Sequence, residues 1–429
     1  MPRRLTARVI QDPSDGFRHL PHLQTQEPDL RVSFDVLGGG RVRARMAGPA
    51  VPALKGTEHK ADLGVRPDEV HGAAARLCAR WKERFVDHQP VDDKGRSVRD
   101  RQRPFAGAAD LSAEPEGELR AVVADLARGG ASLLFDTLLR GDDVQAATFR
   151  SYLRSALSLE GLRIRFDSDL HVPWPMVGVA PDTDTSSAAL PLEALFSRFL
   201  GHRHQIEHTG DAYAWIGAPR APQPLPAVSL NHDLRVGRTT RAAAVADALA
   251  DGTLCTVRTT YDDLIRDFEK PDLDEQLMYF WCHGEFLGNA PEPAVLAIRL
   301  TDGTPFDGHI VRELRARHRH SPFHPLVVLN ACHAGVSGAS GDRSFLGRML
   351  IEHGAQGVLG PLIAMPQAFA AEYALEFIAR YLHTQATAGR IVHDLARHFA
   401  ARYCNPLGVA YGLHGGMDAH LERIDEGEA

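Results

Sequence analysis

The chain has 429 residues, 44% of them hydrophobic and 24% charged, with a formal net charge of -7. That length allows two ordinary domains or one large domain with an elaboration, and the composition suits a globular chain that buries a core. The acidic balance argues against sequence-independent nucleic-acid binding, no apolar run reaches the roughly 18 residues of a membrane span, and the opening Met1–Arg4 lacks the apolar stretch of a secretory signal.

Residues 1–60 read as a strand-rich segment. Leu5–Ile10 is one candidate strand; Leu30–Val36 and Val42–Met46 flank Gly38–Gly40 in a hairpin pattern. Gly48–Gly64, with Pro49 and Pro52, reads as a linker. From Pro67 the period becomes helical, with Val70, Ala74, Leu77, Trp81 and Phe85 on one face. Residues 88–116 are a polar crossing, and Arg96–Arg103 within it reads as a solvated loop. Leu119–Leu139 reads as a helix broken near Gly129–Gly130, and Val144–Leu157 as another helix. Leu162–Phe166 is a strand, followed by His171–Val177, where Trp174 between two prolines is expected to pack under the sheet.

Helix and strand candidates then alternate. Pro191–Leu200 is helical, Ala212–Ile216 a strand, Arg241–Ala250 a helix, Leu254–Val257 a strand and Tyr261–Phe268 a helix. Leu277–Cys282 and Val295–Leu300 are strands, Gly308–Arg317 a helix and Leu326–Leu329 a strand. Ser344–Glu352 is a helix, Gln356–Leu359 a strand and Ala368–His383 a long helix. This alternation predicts an α/β fold with a mostly parallel sheet and helices on both faces. The acidic tail, 421–429, reads as unstructured.

Two strand ends carry the chemistry. The apolar run Leu277–Cys282 ends in His283 and Gly284, and the run Leu326–Ala331 ends in Cys332. In open α/β sheets functional groups gather beyond the carboxyl ends of the strands. A thiol near its ordinary pKa is little ionised at neutral pH, and an imidazole beside it can take its proton and later return one to a leaving amine. The backbone N–H groups of Gly284 and Cys332 would serve the oxyanion. Cys282 and His333 adjoin the pair, but neighbouring strand residues face opposite ways, which assigns Cys282 to the core and counts against His333 as the base. The other cysteines, Cys78, Cys255 and Cys404, are too scattered for a disulfide framework or a zinc site, so a reducing cytoplasm is the simplest compartment. His318, His320 and His324 could be a metal site or a solvated loop; the flanking arginines favour the loop.

Histidine precedes cysteine by 49 positions, close to the caspase spacing, and Asn330–Gly335 aligns with the caspase nucleophile signature. His171–Pro175, Phe280–Gly284, Val327–Cys332, Gly354–Gly360 and Pro406–Gly412, taken in order, resemble the CHAT domain, a caspase-like and separase-related peptidase module of bacterial regulatory and defence systems. The resemblance runs from about Leu119 to Gly416. It implies a caspase-like fold with a helical part over 65–165 and a catalytic core over 166–420. It further implies a cysteine endopeptidase acting on a protein substrate through a thioester, with no cofactor, held in check until a partner, an effector or self-cleavage acts. Separase-like members carry an acid after the last core strand that selects a basic P1 residue. Here Gly360–Gln367 has none, so Ile363 and Met365, with Asn330 beside them, are expected to favour an apolar or small P1 residue. Glu285 faces either substrate or solvent. A catalytically silent scaffold and another type of thiol enzyme stay open as alternatives, and residues 1–60 either dock a partner or extend the sheet.

Overall fold

Leu30, Val32 and Phe34 are fully buried and alternate with the more exposed Arg31, Ser33 and Asp35, the signature of a strand with one covered face. The computed structural model describes residues 26–53, 58–91, 94, 96, 98, 101–179, 190–210, 225–238, 240–287, 295–318, 323–331 and 346–421. The candidate strands Leu5–Ile10 and Ala212–Ile216 and the acidic tail beyond residue 421 lie outside the described residues. Strand β1 (Leu30–Leu37) turns through Gly39 and Gly40, both at positive φ, into β2 (Arg41–Ala47). The expected linker holds a third strand, β3 (His59–Leu63). His59, Ala61 and Leu63 are buried in alternation with Lys60 and Asp62, a period too short to stand out beside the prolines.

Eleven further strands follow: β4 (Arg163–Ser168), β5 (Gln205–Thr209), β6 (Ala227–His232), β7 (Leu254–Arg258), β8 (Leu277–Trp281), β9 (His283–Leu287), β10 (Val295–Arg299), β11 (Pro305–Asp307), β12 (Leu326–Asn330), β13 (Gly357–Pro361) and β14 (Tyr411–Gly415). One large sheet runs β3-β2-β1-β4-β5-β14-β13-β12-β8-β6-β7. Its neighbours are parallel except β3–β2, β2–β1 and β14–β13. The fold is therefore α/β with a mostly parallel sheet, and the strands near the amino terminus extend that sheet, β1 pairing in parallel with β4. Because β13 runs against β14, the carboxyl ends of β12, β8 and β6 gather at the edge opposite those of β4, β5 and β14. Strands β9, β10 and β11 form a separate antiparallel sheet.

Period-two alternation sorts the central strands between two cores. Leu277, Tyr279, Trp281, Leu326 and Val328 pack on the face carrying helices Ala242–Ala250 and Gln367–His383. Met278, Phe280, Cys282, Val327, Leu329 and Ala331 pack on the other, against Tyr261–Phe268, Gly308–Arg315 and Leu346–Glu352. Burial on both faces explains why these strands read as unbroken apolar runs. Trp174 lies in the core, its ring stacked 3.8 Å from that of Phe166.

The Gly129–Gly130 pair does not break its helix. Glu116–Ser132 passes through it and continues as a wider π turn over Leu133–Leu138. A β-carbon on Gly130 would sit 2.6 Å from both the Gly178 nitrogen and the Met176 oxygen, so the glycine serves close helix-to-loop approach instead. The expected helix over 191–200 is two short ones, Leu192–Phe196 and Leu200–Arg203, and Ala388–Tyr403 is a long helix that periodicity did not single out. Among the described residues no helix is long and apolar enough to cross a membrane.

Candidate active site

Strands β6, β8 and β12 are adjacent and end level. His232 pairs with Trp281, and Trp281 with Asn330. The chain leaves β8 through Cys282, which is buried, and enters the smaller sheet at His283, the first residue of β9. The His283 side chain is 57% exposed, and its Nε2 lies 4.0 Å from Oδ2 of Asp233, the residue that follows β6. Asp233 is fully buried. Burial opposes its ionisation, but hydrogen bonds from the side chain and backbone N–H of Arg235 outweigh that and hold the carboxyl below its ordinary range, with His283 adding to the effect. Asp233 was missed in the sequence. The signal was a third strand end, Ser229–His232, but nothing local says that β6 lies beside β8.

Cys332 and His333 lie outside the described residues; the description of this strand end closes at Ala331, which is buried. Gly284 stands second in β9, opposite Ile298. Glu285 is half-exposed, and its carboxylate is engaged by the Arg299 guanidinium on β10. Asn330 is buried, with every polar atom of its amide in use: Nδ2 donates to the Tyr279 hydroxyl (3.0 Å) and the Ala370 carbonyl (3.1 Å), and Oδ1 accepts from the Tyr411 hydroxyl (3.0 Å). Tyr411 stacks on Tyr373 with ring centroids 3.8 Å apart. Asn330 thus ties its strand end to β8, β14 and the helix Gln367–His383. Ile363 and Met365 follow β13 and are likewise buried, at 1% and 8% exposure. The structure brings Asp233 to His283 and gathers Asn330 with Tyr279 and Tyr411; it holds Ile363 and Met365 in the apolar core.

Burial pushes the Cys78 thiol up to about 12 and raises those of Cys255 and Cys404 as well, so none of the three is tuned toward a thiolate. Of the histidine run, His320 lies outside the described residues and the His324 ring bonds the Gly354 carbonyl oxygen at 3.1 Å. Among the described residues no group of three histidine, cysteine or acidic side chains could hold a metal ion.

A probable protease of Vitiosangium sp. (strain GDMCC 1.1324) is 27% identical over 135 residues, a match that spans 32% of this chain and 17% of that protein. Two solved structures of the Saccharomyces cerevisiae separase–securin complex, at 3.0 and 2.6 Å, align over 90% of this chain and 30% of theirs, with 9% identity and TM-scores of 0.45 and 0.42. This chain therefore spans less than a fifth of that relative and under a third of those structures. The CHAT domain family model matches residues 131–393, more than half of the chain. The chain belongs to the CHAT domain family.

Proposed function

We propose that this chain is a cysteine endopeptidase with Cys332 as nucleophile and His283 as general base. The observation that carries the reading is the register of β8 and β12. Asn330 pairs with Trp281, so a count of two residues onward along each chain reaches Cys332 on one and His283 on the other. The described site contributes an exposed imidazole at a strand end with a buried carboxylate behind it.

In this reading His283 takes the Cys332 proton as the sulfur attacks the scissile carbonyl carbon. The carbonyl electrons move to oxygen, where the N–H groups of Gly284 and Cys332 hold the anion. Collapse breaks the C–N bond, the imidazolium gives its proton to the leaving amine, and a thioester remains. Water, deprotonated by His283, then releases the acid and restores the thiol. Asn330 acts by anchoring the strand end ahead of Cys332. The absence of an acid in Gly360–Gln367 supports an apolar or small P1 residue. Glu285, paired with Arg299, would shape the substrate side of β9 rather than offer a free charge.

The wider setting belongs to the same proposal: a helical part over 65–165, a catalytic core over 166–420, a protein substrate, control by an activating partner or effector, and a cytoplasmic role in bacterial defence or stress. Mass spectrometry of a peptide library incubated with the chain tests the activity and its specificity. Cleavage after apolar or small residues is expected, and a dominant arginine or lysine preference would sink the pocket assignment. A chain that cleaves nothing and whose Cys332 resists a labelled electrophile would be a silent scaffold instead.

A further inference from the structure

Asp233 is a fully buried carboxylate with two claimants. Its Oδ1 accepts from the backbone N–H of Arg235 at 2.9 Å and from the Arg235 Nε at 3.0 Å, and its Oδ2 accepts from Nη2 at 3.0 Å. The same Oδ2 faces Nε2 of His283 at 4.0 Å, within ion-pair range but beyond a hydrogen bond. Arg235 also reaches the Leu300 carbonyl at 3.3 Å, so its guanidinium bridges the end of β6 and the residue after β10. The guanidinium side is 52% exposed and the carboxylate not at all.

That asymmetry is poorly explained by stability. An exposed partner contributes little, while taking a carboxylate fully out of water is costly. It is well explained by the histidine. An imidazole whose Nε2–H is given to a carboxylate keeps its Nδ1 lone pair for a thiol proton, and the carboxylate then stabilises the imidazolium that forms. The other charged groups nearby are His232 at the end of β6, Glu285 and Arg299 on the small sheet, and Asp302, which adds to the field at Arg235. Glu285 and Arg299 neutralise each other, which leaves Asp233, among the described residues, as the carboxylate within ion-pair range of His283.

We propose that Asp233 is a positioning residue for His283 and that Arg235 competes with the histidine for it, so that withdrawal of Arg235 strengthens the base. The proposal rests on the reading of His283 as the base for Cys332 and adds a control point to that site. The arrangement described is the held-off one, with Arg235 in possession of Oδ2. Any group that draws the exposed guanidinium away lets Asp233 and His283 close the remaining ångström.

The test uses the full chain and needs no substrate. Iodoacetamide alkylation of Cys332 is followed by peptide mass spectrometry across pH 5 to 9 in the unaltered chain, His283→Ala, Asp233→Asn, Arg235→Ala and Arg235→Lys. With one proton shared between the two groups, a carboxylate beside the imidazole draws that proton from sulfur to nitrogen, so its loss must lower the alkylation rate near neutral pH. Asp233→Asn is expected to slow alkylation at pH 7 about 10-fold, Arg235→Ala to quicken it at the same pH, and Arg235→Lys to stay near the unaltered chain. A purely structural role would lower the yield of folded protein, read by circular dichroism, without moving the alkylation rate in opposite directions in the Asp233 and Arg235 variants. If Asp233→Asn does not fold, the exposed Arg235 decides alone: an Arg235→Ala alkylation rate at pH 7 that is unchanged or slower overturns the proposal. A His283→Ala profile equal to that of the unaltered chain would overturn the base assignment itself, which is a separate failure.

Discussion

Acidification from pH 7 to 5 should weaken this fold well before the carboxylates protonate. His208 and His204 are buried at 8% and 1% exposure. Burial is the largest cause of their lowered pKa values, about 3 for His208, where His414 adds repulsion, and about 4 for His204. An unfolded histidine titrates near 6.5. The folded value lies below the unfolded one, so the unfolded chain takes up protons first. The stabilisation is complete above about pH 6.5 and is lost progressively as the pH falls toward the folded values. At pH 5 the difference is roughly 1.5 pH units for each group, or about 2 kcal/mol, and about 4 kcal/mol for the two. His171, lowered to about 3 mainly by burial, and His202, lowered to about 4 for the same reason, act in the same direction. Against a total of 5–15 kcal/mol this is a large fraction. Urea denaturation at pH 7, 6 and 5, followed by circular dichroism, should show the midpoint falling at each step, and His208→Gln should flatten the slope. His208 lies opposite His414 where β5 meets β14, so the loss should open that seam first. A midpoint that holds constant from pH 7 to 5 would refute the reasoning.

The paired glycines give a contrast within one helix. Gly130→Ala drives a methyl group into the backbone of Met176 and Gly178 and should cost about 1–3 kcal/mol of stability. Gly129→Ala meets only the ends of Leu77 and Arg80, at 3.4 Å, and should be neutral or stabilising by up to about 1 kcal/mol, which thermal unfolding of both variants would show. Asn330→Ala removes the buried hydrogen bonds that the amide makes with the Tyr279 hydroxyl, the Ala370 carbonyl and the Tyr411 hydroxyl and should cost about 1–3 kcal/mol in urea denaturation, with peptide cleavage falling further because the strand end before Cys332 loses its anchor. Trp174→Ala removes a ring stacked on Phe166 and should cost about 3–5 kcal/mol or prevent soluble expression.

The parts of the fold legible in the sequence are those where burial imposes a local period. Leu277–Trp281 and Leu326–Asn330 are covered on both faces and read as apolar runs with clear ends; Tyr261–Phe268 and Gln367–His383 carry a helical stripe. Strand alternation also sorted Cys282 into the core. What escaped depends on contacts distant in sequence. His59–Leu63 is a strand because β2 offers it an edge, and Gly130 marks the close approach of Met176 and Gly178 rather than a helix end. Asp233 becomes part of the site only when the order β12-β8-β6 sets it behind His283. Asn330 reads as a pocket residue from its place two before Cys332, whereas tyrosines 51 positions before it and 81 after it claim its amide.

The central claim is that Cys332 and His283 together cleave peptide bonds. The most direct measurement is cleavage of a peptide library by the unaltered chain, Cys332→Ala and His283→Ala at equal folded concentration, with products identified by mass spectrometry. The account predicts defined products from the unaltered chain and none from either variant. Undiminished cleavage by Cys332→Ala or by His283→Ala would contradict it.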